Sequence, residues 1–122
     1  MSSNVAIQAL EASLAGDSAT PNMGASDRET YLQEQRTHLR KYIIEPVPVV
    51  AYANSWAQQY CGLGSGPYSM IAVAYCNDKV GQCLLYNPET GLFSLAYGHI
   101  DDPNGVGLVG YASNDALAEW LG

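Results

Sequence analysis

The apolar pattern of the chain changes period about one third of the way along. In the first 15 residues Val5, Ile7, Leu10 and Leu14 lie partly on one helical face, with Gly16 as the stop. Residues 16–25, GDSATPNMGA, are small and polar and predict a linker. Ser26-Asp-Arg-Glu29 has the spacing of a capping box, in which Ser26 and Glu29 satisfy reciprocal backbone donors. The helix expected after it carries Tyr31, Leu32, Leu39, Tyr42 and Ile43 at helical spacing, and Glu45-Pro46 should end it. Its other face carries Arg36, Arg40 and Lys41.

Beyond Pro48 the pattern is that of short strands. Val49–Ala53 predicts an edge strand, because Pro46 and Pro48 cannot donate to a fully paired ladder. Residues 54–60 fit a helical turn or a loop, and 62–67 a flexible connector. Tyr68–Cys76, Val80–Tyr86 and Leu92–Tyr97 are joined by Asn77-Asp-Lys79 and by Asn87-Pro-Glu-Thr-Gly91, a turn with Gly at the left-handed position. They predict an antiparallel meander. Tyr68, Met70, Ala72 and Ala74 should share one face of their strand, and Ile71, Val73 and Tyr75 the other. With the first turn closing at 76 and 80, Cys83 lies opposite Val73, too far from Cys76 to form a disulfide. Residues 98–107 read as a polar loop, Leu108–Tyr111 as a fourth strand, and Ser113 as the cap of a last helix packed through Leu117, Trp120 and Leu121. The expectation is one α+β domain over residues 1–122, with a three- to five-stranded antiparallel sheet, two N-terminal helices and one C-terminal helix. Residues 1–25 are expected to be a loosely packed helix plus linker.

Composition narrows the function classes. Of 122 residues 48% are hydrophobic and 14% charged, which suits neither a disordered acidic tail nor a basic nucleic-acid arm. No apolar run approaches the ~18–20 residues of a membrane span. The first residues, MSSNVAIQALEAS, carry no positive charge and so do not read as a secretory signal. Cys61, Cys76 and Cys83 are odd in number without a CxxC pair, as expected of buried thiols in a reducing cytoplasm. The net charge is −7, and from Tyr42 onward seven acids face the single base Lys79, a local balance of −6. Such a surface repels nucleic acid and anionic membranes and steers a basic protein toward it.

No constellation carries a complete chemistry. Cys61, His99 and Asp101 supply the types of a cysteine hydrolase or transferase, but the GLGSGP after Cys61 does not begin a helix that would activate the thiol. Cys61, Cys76, Cys83 and His99 lack the close pairing of a zinc site, Asp101, Asp102 and Asn104 lack the EF-hand pattern, and Gly62, Gly64 and Gly66 are followed by no phosphate-binding Lys. No metal or cofactor is therefore expected. Nine tyrosines and two tryptophans suit half-wet contact positions. They also suit a sheet through which the chain oligomerises as a structural subunit.

Within residues 66–121, Gly66-Pro-Tyr68 opening a strand, strand Val80–Tyr86, the turn Asn87–Gly91, strand Leu92–Tyr97 and the helix Ser113–Leu121 come in an order that resembles the SMI1/KNR4-like (SUKH) superfamily, many bacterial members of which are toxin immunity proteins. The resemblance covers under half the chain, its motifs are degenerate, and the N-terminal half departs from the family pattern. It implies a non-enzymatic cytoplasmic inhibitor with no catalytic residues, which binds a toxin through its acidic surface. Candidate contacts for a basic toxin or nucleic-acid-handling enzyme are Asp78, Glu89, Tyr97, Asp101, Asp102 and Tyr111.

Overall fold

A computed structural model describes residues 2–16, 18, 27–60, 62, 64–77 and 81–121, without the side chains of 2–4, 56 and 109–111. The helices are α1 (Ser2–Ala15), α2 (Arg28–Arg40), α3 (Ser55–Tyr60) and α4 (Ala116–Leu121); the strands are β1 (Ile43–Ala53), β2 (Tyr68–Cys76), β3 (Gln82–Asn87), β4 (Leu92–Tyr97) and β5 (Val106–Ser113). The fold is α+β, but the sheet is neither open nor purely antiparallel. Its strands close into a barrel in sequence order, with β1 parallel to β5. The parallel pair follows from parity: each hairpin in a meander reverses direction, so an odd number of strands leaves the first and last pointing the same way. Residues 55–60, which fitted either a turn or a loop, form α3 between β1 and β2.

Local boundaries show which forces won. Ser26 lies outside the described residues, and the N-cap of α2 is Asp27, whose carboxylate accepts from Thr30 N at 3.2 Å and from Thr30 Oγ1 at 2.8 Å. These bonds from Thr30 hold the Asp27 carboxyl below its ordinary value. The helix stops at Arg40, earlier than Glu45-Pro46 suggested, and Tyr42 and Ile43 are not helical. β-branched Ile43 and Ile44 favour extended backbone, and Ile43 pairs with Ala74. The edge-strand expectation for Val49–Ala53 fails at its far end, because Ala51–Ala53 pair with both β2 and β5 or with β5. The prolines remain compatible with the sheet. Pro46 falls in the register shift between Ile43 and Val47, and Pro48 precedes the first β5 partner at Ala51.

Two cores result. Inside the barrel lie Val49, Ala51, Met70, Ala72, Cys83, Leu85, Ala96, Val106 and Leu108, with small residues suited to a narrow lumen. Outside β2, β3 and the start of β4, helices α1, α2 and α4 bury Ala6, Leu10, Leu14, Leu32, Leu39, Leu117 and Trp120 against Ile71, Val73, Leu84, Tyr86 and Phe93. Strand β2 is therefore apolar on both faces because the chain itself covers both. A bulge between Ala72 and Ala74 puts Ala74 on the side of Ile71 and Val73, so the expected strict alternation breaks there. Independently of that bulge, the hairpin closes at Cys76 and Gln82 rather than at 76 and 80, which places Cys83 opposite Tyr75 rather than Val73. Cys76 packs against the outer core and Cys83 is inside the barrel, so they do not bridge.

The C-terminal helix is capped by Asp115, whose Oδ1 accepts from Ala118 N at 3.1 Å, rather than by Ser113, which accepts from Asp115 N at 3.2 Å. Ser13 of α1 adds a tertiary cap, accepting from Ala116 N at 2.9 Å and donating to Asn114 O at 2.7 Å. Among the described residues no helix is long and apolar enough to cross a membrane.

Candidate functional site

Helices α1, α2 and α4 pack outside β2, β3 and the start of β4, and α3 touches β1 and β5. This leaves an uncovered wall where Val50 and Tyr52 of β1 and Tyr97 at the end of β4 are exposed on either side of β5. Alternation fixes what it presents. Val106 and Leu108 point into the lumen, so Gly107 faces out; Ala51 and Ala53 do the same for Tyr52, and Ala96 for Tyr97. The register then aligns Tyr52 with Gly107 and Gly107 with Tyr97, in one row across three strands. Tyr52 and Tyr97 are 43% and 41% exposed, and Val50 beside Tyr52 is 42% exposed. Across two strand spacings the tyrosine backbones are about 10 Å apart, with only a glycine between them.

The 98–105 connection borders this wall and is ordered by its own bonds. Gly98 N donates to Gly81 O at 3.0 Å, Asp102 N to His99 O at 3.0 Å and Gly105 N to Asp102 O at 3.0 Å. Asp102 Oδ1 accepts from Asn104 N at 2.8 Å. Ile100 packs against the barrel core, and the loop and β1 enclose a cleft of about 320 Å³ with Pro48, Val50, Met70, Ile100 and Pro103 in its lining and Asp102 among them. Asp101 and Asp102 are exposed. Every Lys and Arg among the described residues belongs to α2 or to its cap, Lys41. The uncovered wall is thus aromatic and acidic, and the described cations sit on the helical layer.

The six candidate contacts do not form one patch. Tyr97, Asp101 and Asp102 come together at one end of the barrel. Glu89 is exposed in the β3–β4 turn, at the opposite end of that hairpin from Tyr97. Asp78 and the Tyr111 side chain lie outside the described residues. Tyr52 and Gly107, which sequence reading missed, complete the row; the only local signal was a glycine interrupting a β-forming stretch.

Of the residues of the enzymatic alternative, the structure describes His99 and Asp101. Cys61 lies outside the described residues. His99 Nδ1 is 2.7 Å from the Tyr75 hydroxyl, which also donates to Asn77 Oδ1 at 3.1 Å, and no hydrogen bond joins His99 to the exposed Asp101. Cys83 Sγ donates to Gly98 O at 3.4 Å at the start of this loop, and burial pushes the thiol up to about 12. Iodoacetamide near neutral pH is expected to leave Cys83 unmodified in the folded protein and to alkylate it after denaturation; rapid native labelling, read by mass spectrometry, would contradict its burial. No group of three His, Cys, Asp or Glu among the described residues is placed to hold a metal ion.

A larger cleft of about 800 Å³ lies between α1 and α4, with Ser13, Ser18, Ser113, Asp115 and Glu119 in its lining. Its polar groups are engaged in holding helix ends. Ser18 Oγ lies 2.9 Å from both Asp115 carboxylate oxygens, and Ser113 Oγ donates to Glu119 Oε2 at 2.9 Å. Burial raises the Glu119 carboxyl above its ordinary value, the Ser113 bond opposes this, and Asp115 adds repulsion. Such bonds describe a polar seam between helices. Compared with protein-family models, curated proteins and solved structures, the chain finds no match.

Proposed function

We propose that the protein is a small, acidic, non-enzymatic binding protein that captures a basic protein partner on its uncovered barrel wall. The role that fits best is that of a cytoplasmic immunity or inhibitor protein acting on a basic toxin or nucleic-acid-handling enzyme. The observation that carries this reading is the pairing of two exposed tyrosines, Tyr52 and Tyr97, with the exposed carboxylates of Asp101 and Asp102 at one end of the barrel. Tyrosine supplies apolar area with a polar tip, as contact surfaces require, and an acidic rim accelerates encounter with a cation-rich partner. The SUKH-like order of elements in residues 66–121 lends the immunity role further support.

The test is retention from host lysate at low salt on immobilised wild-type protein, on Asp101→Lys/Asp102→Lys and on Glu89→Lys. A basic protein released by moderate salt should be lost on the double variant and kept on Glu89→Lys. With that partner purified, the double reversal should slow association by about tenfold or more at low salt and much less at high salt. An unchanged on-rate would remove this surface from consideration.

A further inference from the structure

We infer that the slot over Gly107, between Tyr52 and Tyr97, receives an arginine side chain presented by an extended segment of the partner; this rests on the acidic-binding reading above. The argument begins with the glycine. Gly66, Gly81, Gly98 and Gly105 have φ between 71° and 137°, and an added Cβ at each would meet a neighbour at 3.1 Å or less. Gly107 is different: it is not among the positive-φ glycines, and a Cβ there would meet only Tyr97 O, at an ordinary 3.7 Å. The fold therefore has room for a side chain at Gly107, the second residue of β5, where glycine weakens the strand. A strand glycine marks a bulge, a bend at a barrel corner or the close approach of another molecule. Gly107 lies outside the β4–β5 register shift with no positive φ, which leaves the last of these.

The walls of the slot select the visitor. Tyr52 and Tyr97 flank the glycine from both neighbouring strands. The Tyr52 ring leans toward Gly105, so the space directly over Gly107 is open, and the exposure of both tyrosines leaves ring surface to be covered. Among the described strands closure of the barrel leaves no edge to extend, so recognition here proceeds through side chains and not by strand addition. Asp101 and Asp102 on the adjoining loop favour a cation over an apolar side chain. A planar guanidinium stacks on aromatic faces while keeping donors for carboxylates, whereas an ammonium is a compact, strongly hydrated charge. Arginine is the side chain that uses both features of the site.

Blocked Gly-Ser-Arg-Gly-Ser peptides, with Lys and Leu counterparts, test this by amide shift mapping of the full chain. The Arg peptide should bind roughly fivefold tighter than the Lys peptide, and Leu weakest, with the largest shifts at Gly105–Leu108. Gly107→Val should abolish the preference for Arg over Lys while leaving the melting temperature equal or higher. Asp101→Asn/Asp102→Asn should weaken both cationic peptides by the same factor. Equal binding of Arg and Lys, no binding of either, or an Arg preference that survives Gly107→Val overturns the slot. The two readings fail separately. If both cations bind equally and still depend on Asp101 and Asp102, only the slot is lost; if the carboxylates have no effect on partner or peptide, the acidic-binding reading is lost as well.

Discussion

Phe93→Ala is expected to lower the stability of the protein by about 3–5 kcal/mol, the largest single effect in the set. Phe93 is 2% exposed in the layer between the barrel and the helices, and its ring lies 5.4 Å from that of Tyr86, its cross-strand partner. Removing it takes away the transfer energy of the ring and opens a cavity under the helical layer, which is held to the barrel by other contacts as well. Among these, Gln82 Nε2 donates to Trp120 O at 2.7 Å and Tyr42 stacks near Trp120 at 5.8 Å. Natural domains have about 5–15 kcal/mol in total, so the variant should sit close to unfolding, with a melting temperature about 10–20 °C lower. Phe93→Leu, which keeps most of the volume, should lose roughly 1 kcal/mol. Calorimetry of the two variants checks both values. A shift of less than about 5 °C for the alanine variant would mean that the helical layer is not packed on β4 in this way.

Gly105→Ala should cost about 3 kcal/mol or more, by adding a steric clash to a dihedral penalty. Its φ is +87°, and a Cβ would stand 2.5 Å from Val50 O and 3.2 Å from Val50 C. Val50 pairs with Ser69, so its carbonyl cannot retreat without loosening β1 from β2. Gly91→Ala separates the two costs: φ is +75° there, but nothing lies within 4 Å of the added carbon. That variant should lose only about 1–2 kcal/mol, the dihedral penalty alone. Gly107→Val, with neither problem, should lose nothing. Urea unfolding of the three variants gives the series, and equal losses at Gly105 and Gly91 would show that the loop does not seat against β1. Because Gly105 anchors the connection that carries Asp101 and Asp102, its variant should also lose partner retention, whereas Gly91→Ala should keep it.

Much of the local structure was legible in the chain. The Asn87–Gly91 turn and the strands around it follow from short-range chemistry: Gly91 takes the left-handed position and Gly91 N donates to Asn87 O at 2.8 Å. Helix α1 ends at Ala15 as its Gly16 stop suggested. The errors are informative in the same terms. Tyr42 and Ile43 continue a helical spacing, yet Ile43 is claimed by Ala74, a partner that no local window contains. Cys83 was placed two residues from its true partner because the β2–β3 connection closes at Cys76 and Gln82 and is two residues longer than the turn signal suggested. The bulge at Ala72–Ala74 breaks the alternation beyond it. At the site, Tyr97, Asp101 and Asp102 could be picked out as aromatic and acidic positions, but Glu89 could not be excluded from their patch without the hairpin's orientation.

What the sequence by itself determined was the inventory: a helical start, an antiparallel run of strands, a helical end and an acidic, tyrosine-rich surface. These depend on residue type and on neighbours within a turn or a hairpin, where the spacing along the chain is also the spacing in space. Only the tertiary structure decided that the sheet closes, that β1 and β5 run parallel, and that Tyr52, Gly107 and Tyr97 form one row. Closure is a non-local event whose register is set by bulges and by the packing of alanines in a narrow lumen. It brings together residues from strands far apart in the chain, so the wall that carries the proposed function exists only once the barrel has formed.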